Sequence, residues 1–110
     1  MTVLRPTGDE LVALLAALAS PTRLRILAAL TGGRDYVSHL ARVIDISRPL
    51  LHMHLQRLEA VGLIVGSLEL SQDGKAMKYF EVADFDLHLT PSVLAEAART
   101  LTRTDPDGSH

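Results

Sequence analysis

The chain has 110 residues, 47% of them hydrophobic and 22% charged, with seven Gly, five Pro and no Cys. That length fits one domain around one core and excludes large scaffolds such as an eight-stranded α/β barrel. The apolar fraction excludes a disordered chain, and the missing Cys excludes disulfides, thiolate redox chemistry and all-Cys metal sites.

No apolar run approaches the ~20 residues that span a bilayer, and Met1–Asp9 lacks the charged-then-apolar order of a signal peptide. The expectation is a soluble, cytoplasmic protein with no membrane partner. The formal net charge of −2 speaks against a generic nucleic-acid binder of high pI. Its distribution says more. From Arg23 to Lys78 there are eight basic residues and five acidic ones, a balance of +3, while the flanks carry −5. A basic middle between acidic ends suggests a central surface facing a polyanion.

Leu11, Leu14, Leu15 and Leu18 recur at helical spacing, which predicts a first helix from about Asp9 to Ala19. Ser20-Pro21 restarts the chain as cap and first helical residue, and Leu24, Leu27 and Leu30 mark the buried face of a second helix. Gly32-Gly33 ends it. A short third helix is expected from about Val37 to Ile44, with Leu40, Ala41 and Ile44 inward, followed by a tight turn at Asp45-Ile46. Ser47 caps a fourth helix running to about Val61, with Leu51, Leu55 and Leu58 as its core stripe and Gly62 as its stop.

The pattern changes at Leu63. Leu63–Leu70 and Lys75–Val82 read as strands joined at Asp73-Gly74, a hairpin signal expected to form a type I′ turn. Asp84–Leu89 is a connector, and Thr90-Pro91 opens a last helix whose apolar face is Val93, Leu94, Ala97, Ala98 and Leu101. The predicted order is α-α-α-α-β-β-α: mainly α, with a β-hairpin wing, a winged helix-turn-helix. An arm over residues 1–8 precedes one domain over 9–103, and a polar, disordered tail occupies 104–110.

The stretch Val37–Leu58, VSHLARVIDISRPLLHMHLQRL, carries the function. Two helices joined by a short turn place the second helix in the DNA major groove. With Leu51 at the centre of the buried face, His52, Met53, Gln56 and Arg57 point outward, and Arg48 and Leu50 flank the N-terminal turn. Arg48 suits guanine, Gln56 adenine, His52 a base edge or phosphate, and Leu50 or Met53 a thymine methyl. Those five are the base-reading candidates. Arg34, Ser47, His54, Arg57, Lys75 and Lys78 are the phosphate candidates, although Glu69 and Asp73 lie close to the wing lysines.

LASPTRLRILAAL (Leu18–Leu30), ISRPLLHMHLQRLEAVGLI (Ile46–Ile64) and GKAMKYFEV (Gly74–Val82) resemble the ArsR/SmtB family of bacterial winged-helix repressors. The resemblance covers roughly residues 9–101, and Ser47, His54 and Leu55 match its recognition-helix pattern. It implies a homodimer through the first and last helices, bound to double-stranded DNA at a promoter inverted repeat in the bacterial nucleoid. Leu11, Leu15, Leu94, Ala97, Ala98 and Leu101 offer the apolar surface for that dimer.

The family's cysteine-based sensor site has no counterpart here. A second family site, Asp-x-His followed by His-x-x-Glu, is half present. Asp86 and His88 match its first part, whereas Arg99 and Thr102 stand where the remaining ligands belong. The expectation is therefore no metal and no cofactor, with Asp86 and His88 the weak candidates if a metal acts. A small organic effector, an unusual metal site or no signal at all remain open. No catalytic constellation is visible, so an enzyme is not expected. The competing reading is a winged helix that has kept the fold as a protein-interaction module and lost DNA binding.

Overall fold

A computed structural model describes residues 2–102. The tail expected over 104–110 lies outside the described residues. Five helices carry the architecture: α1 (Gly8–Leu18), α2 (Pro21–Leu30), α3 (Val37–Ile44), α4 (Arg48–Ala60) and α5 (Pro91–Ala98). Among the described residues no single helix is long and apolar enough to cross a membrane.

Local chemistry fixes the helix starts. Ser20, Ser47 and Thr90 each accept a backbone N–H three residues on, at 3.2, 3.3 and 3.1 Å, and each precedes a proline in the first turn. Thr7 and Glu10 form a reciprocal capping box, so α1 begins at Gly8. Helix α5 stops at Ala98, and Leu101 lies beyond it in a turn rather than on the helix.

The wing is the pair β3 (Ile64–Leu70) and β4 (Ala76–Val82), antiparallel from Ile64 opposite Val82 to Leu70 opposite Ala76. Its tip departs from type I′. Gly74 takes φ +86°, but Asp73 does not have a positive φ. Gly74 N–H donates to Ser71 O at 2.9 Å, and Ser71 N–H to Lys75 O at 2.7 Å. A three-residue loop closed by a left-handed glycine results. The short strand β2 (Asp35–Tyr36) adds to the outer edge of β4. Within the expected arm and connector, β1 (Thr2–Val3) pairs in parallel with β5 (Phe85–Asp86).

The core gathers Leu14, Ile26, Leu27, Leu30, Leu40, Leu51, Leu55, Leu58, Leu63, Ile64 and Phe80. Leu24, expected inside, is exposed; the buried stripe of α2 is instead Arg23, Ile26, Leu27 and Leu30. Arg23 is 8% exposed and His54 9%, and they meet where α1, α2 and α4 converge. Arg23 Nε donates to Ala17 O at 2.6 Å, Nη2 to Ala16 O at 3.4 Å, and Nη1 lies 3.0 Å from His54 Nδ1. A guanidinium has donors only, so Nδ1 accepts and the imidazole is neutral.

Helices α1 and α5 pack within the chain more closely than expected. Leu11 and Ala97, assigned to a dimer face, are buried here, at 5% and 7% exposure. Gly8 makes this approach possible: a Cβ on it would stand 2.3 Å from Ala97 O. Its N–H donates to Thr100 Oγ1 at 2.7 Å, and Thr102 Oγ1 donates to Asp9 Oδ2 at 2.7 Å.

Two predictions follow from the packing. Gly8→Ala forces α5 away from α1 and is expected to cost about 1–3 kcal/mol in urea unfolding; an unchanged midpoint contradicts this contact. The second concerns acid. Burial first, then the charges of Arg23 and Arg57, hold the His54 imidazole below its usual range. The unfolded chain therefore takes up this proton before the folded one. Stability is full above the ordinary histidine value of ~6.5 and declines as pH falls through it toward the folded value. His54→Asn should flatten that decline, and an equal slope in the variant contradicts the assignment.

Candidate nucleic-acid interface

The turn between α3 and α4 is tight because Asp45 sits in the left-handed region, at φ 63°. Aspartate tolerates that conformation, and its N–H closes α3 on Ala41 O at 2.8 Å. Ile46 N–H reaches the same carbonyl at 3.1 Å, and Ser47 then caps α4. Two residues thus separate the end of one helix from the cap of the next, so α4 leaves the core at a fixed angle with its first turn outward.

Helix α4 is two-faced. Leu51, His54, Leu55 and Leu58 are buried, while Arg48, Leu50, His52, Met53, Gln56 and Arg57 are exposed. All five base-reading candidates therefore share the accessible side. His54, a phosphate candidate from sequence, is placed in the core on Arg23 and away from that face. Ser47 is exposed and its hydroxyl is engaged as the cap.

The structure adds a cation that sequence reading left out of the site. Arg42 on α3 and Arg48 on α4 flank a cleft of about 570 Å³ that Ser38 and Asp45 also line. Arg42 is exposed and directly follows the buried pair Leu40 and Ala41. The one-residue offset from a buried stripe was the available signal.

On the wing, Arg34 and Glu69 form a two-pronged ion pair, with Nη2 to Oε1 at 3.1 Å. The guanidinium also lies 4.5 Å from the centre of the Tyr79 ring. Arg34 therefore ties the entry to β2 across β4 onto β3, and its charge is already opposed by a carboxylate. Lys78 folds back along the sheet: its Nζ is 5.6 Å from the Phe80 ring centre, and its stem occupies the space above Gly66. Lys75 stands at the tip beside Asp73. There the Ser71 hydroxyl, then the Lys75 N–H, hold the Asp73 carboxyl below its usual range. The tip thus carries both signs of charge.

Val12 and Leu15 on α1, Leu94 on α5 and Leu101 beyond it are exposed apolar side chains. Ala98 is exposed beside them. Asp86 and His88 contact each other, Oδ1 to Nε2 at 3.0 Å. Among the described residues no three His, Asp or Glu side chains gather as a metal site.

A helix-turn-helix domain family matches residues 18–66, which run from the end of α1 through α4 into β3. The transcriptional regulator CmtR of Mycobacterium tuberculosis is 36% identical over 91 residues, covering 83% of this chain and 70% of that regulator. An ArsR-like transcriptional regulator from Rhodococcus sp. RHA1 superposes with a TM-score of 0.59 at 27% identity, over 84% of this chain and 76% of that one. A homodimeric winged helix-turn-helix DNA-binding domain from Mycobacterium bovis has a TM-score of 0.61 at 24% identity, covering 83% and 74%. This last likeness is one of fold. Taken with the capped, two-faced α4 and the wing behind it, the similarity over most of both chains establishes that this chain belongs to the ArsR/SmtB family of winged helix-turn-helix DNA-binding transcriptional regulators.

Proposed function

We propose that the chain is a repressor that binds an inverted-repeat operator as a homodimer, in the cytoplasm on the nucleoid. The observation that carries this reading is α4, whose outer side offers Arg48, Leu50, His52, Met53 and Gln56 while its inner side is core. Arg48 on the first turn is suited to guanine O6 and N7, Gln56 to adenine, and Leu50 or Met53 to a thymine methyl. Arg42, Arg57, Lys75 and Lys78 supply positive charge around them for phosphates.

Leu15, Leu94, Ala98 and Leu101 support the dimer, joined by Val12, because they remain exposed after the chain has folded. Leu11 and Ala97 leave that set, since the chain itself covers them. The homodimeric state of the M. bovis domain supports the same assembly. A twofold axis through these helices would set two α4 helices on successive major grooves, ~34 Å apart. With no Cys in the chain, any metal signal would have to work without thiolate ligands.

The test uses a duplex that the protein selects from a randomised pool. Arg48→Ala is expected to cost about 1–3 kcal/mol and to relax preference at one base pair; parent-like affinity and selectivity remove Arg48 from base reading. Lys75→Ala and Arg42→Ala should instead weaken binding to every sequence and reduce the slope of log K against log salt by ~1 each. Leu94→Asp, at a position exposed in the chain, should give a folded monomer with strongly reduced operator binding. A dimeric Leu94→Asp variant would place the interface elsewhere.

A further inference from the structure

We propose that Arg23 is the positioning residue of the DNA-reading unit. Through His54 it fixes α4 against α1, and it does so only while His54 Nδ1 is free to accept a hydrogen bond. The inference rests on the dimeric reading above and adds a residue and a condition to it.

The geometry begins at the end of α1. Ala16 and Ala17 lie in its last turn, where carbonyls lack the i+4 N–H of a continuing helix. Arg23 supplies that missing donor, from Nε to Ala17 O at 2.6 Å and from Nη2 to Ala16 O at 3.4 Å. A cation also suits the negative end of the helix dipole. The third prong, Nη1, crosses to α4 and meets His54 Nδ1 at 3.0 Å. One planar group therefore sets three elements at once: α1, which bears part of the proposed dimer face, α2, to which Arg23 belongs, and α4, which reads DNA.

The contact has a required protonation state. Nδ1 can accept from Arg23 only when the imidazole proton is on Nε2. Among the described residues His54 Nε2 has no hydrogen-bond partner and no buried side-chain nitrogen or oxygen lacks one, so Nε2 reaches the surface. A second proton, taken up at Nδ1, would set an N–H against the guanidinium and leave two positive charges in contact. The charged groups acting on His54 are Arg23 from α2 and Arg57 from its own helix, both positive. Helix α1 brings the carbonyls of Ala16 and Ala17 to Arg23, and among the described residues no carboxylate offsets the two cations.

Protonation thus frees α4 from the corner of α1 and α2 while leaving the exposed cations in place. The spacing of two half-sites depends on that corner, whereas phosphate contacts of one subunit do not. Acid should therefore lower the preference for the operator more than affinity for DNA as such. His52, exposed on the outer side of α4, lies close to any duplex that α4 meets. For this reason the readout is the ratio of affinities for the selected and a scrambled duplex, compared between proteins that all retain His52.

The experiment measures that ratio at pH ~8 and ~5.5 for the parent, His54→Asn and Arg23→Met, with ¹⁵N NMR of the His54 ring. In the parent the ratio should fall about tenfold on acidification, and at pH ~8 the ring should be the Nε2–H tautomer. Asparagine keeps an acceptor for Arg23 and cannot titrate, so His54→Asn should give a ratio that is flat with pH. Arg23→Met should show a low ratio at both pH values and a mixed His54 tautomer. Parallel pH profiles for the parent and His54→Asn, an Nδ1–H ring in the parent, or a folded Arg23→Met with the parent ratio would each overturn the proposal. If Arg23→Met fails to fold, the first two outcomes still decide. Failure of the parent to select any two-half-site duplex at pH ~8 overturns the dimeric reading, and this inference with it.

Discussion

A guanidinium enclosed by three helices is the constraint on which the rest of this structure depends. Arg23 and His54 are the polar side chains that enter the described core; they bond each other, and Arg23 also donates to carbonyls of α1. Buried charge without partners is costly, so such a group either organises its surroundings or is not tolerated. Here it orders the junction from which α4 projects. The leucines around it give cohesion with little directional preference, whereas the hydrogen bonds specify one angle between α1 and α4.

Much of the fold was legible because its signals are local. Ser20-Pro21, Ser47 and Thr90-Pro91 place three helix starts, since a cap and its N–H lie within four residues of each other. The outward face of α4 followed from the spacing of Leu51, Leu55 and Leu58 alone. The strands of two residues were not legible. Thr2–Val3 finds its partner at Phe85–Asp86, and Asp35–Tyr36 at Tyr79–Phe80, and no local pattern announces such distant pairings.

The exposure of the base-reading candidates was legible, and the supports behind them were less so. An apolar-in rule sends Leu24 to the core and Arg23 to solvent, and tertiary hydrogen bonding reverses both. Residues 23, 26, 27 and 30 do share one helical face, so the spacing contained the answer that residue type obscured. Leu11 and Ala97 illustrate a different limit. An apolar stripe reads the same whether its own chain or a second copy covers it, and Gly8 decides between them by letting α1 and α5 close up. Arg34 was a free cation on paper and is a strut of the wing in space, because Glu69 lies across the sheet from it.

The proposed function divides the molecule into a reading surface, the outer side of α4 with the wing, and an apolar surface on α1 and α5. Hydrogen–deuterium exchange of the protein, free and bound to a selected duplex, tests this division most directly. The account predicts new protection in the first turns of α4 around Arg48–Met53 and at the wing tip around Ser71–Lys75, with α1 and α5 equally protected in both states. Protection acquired along α1 and α5, with α4 exchanging as in the free protein, would contradict it.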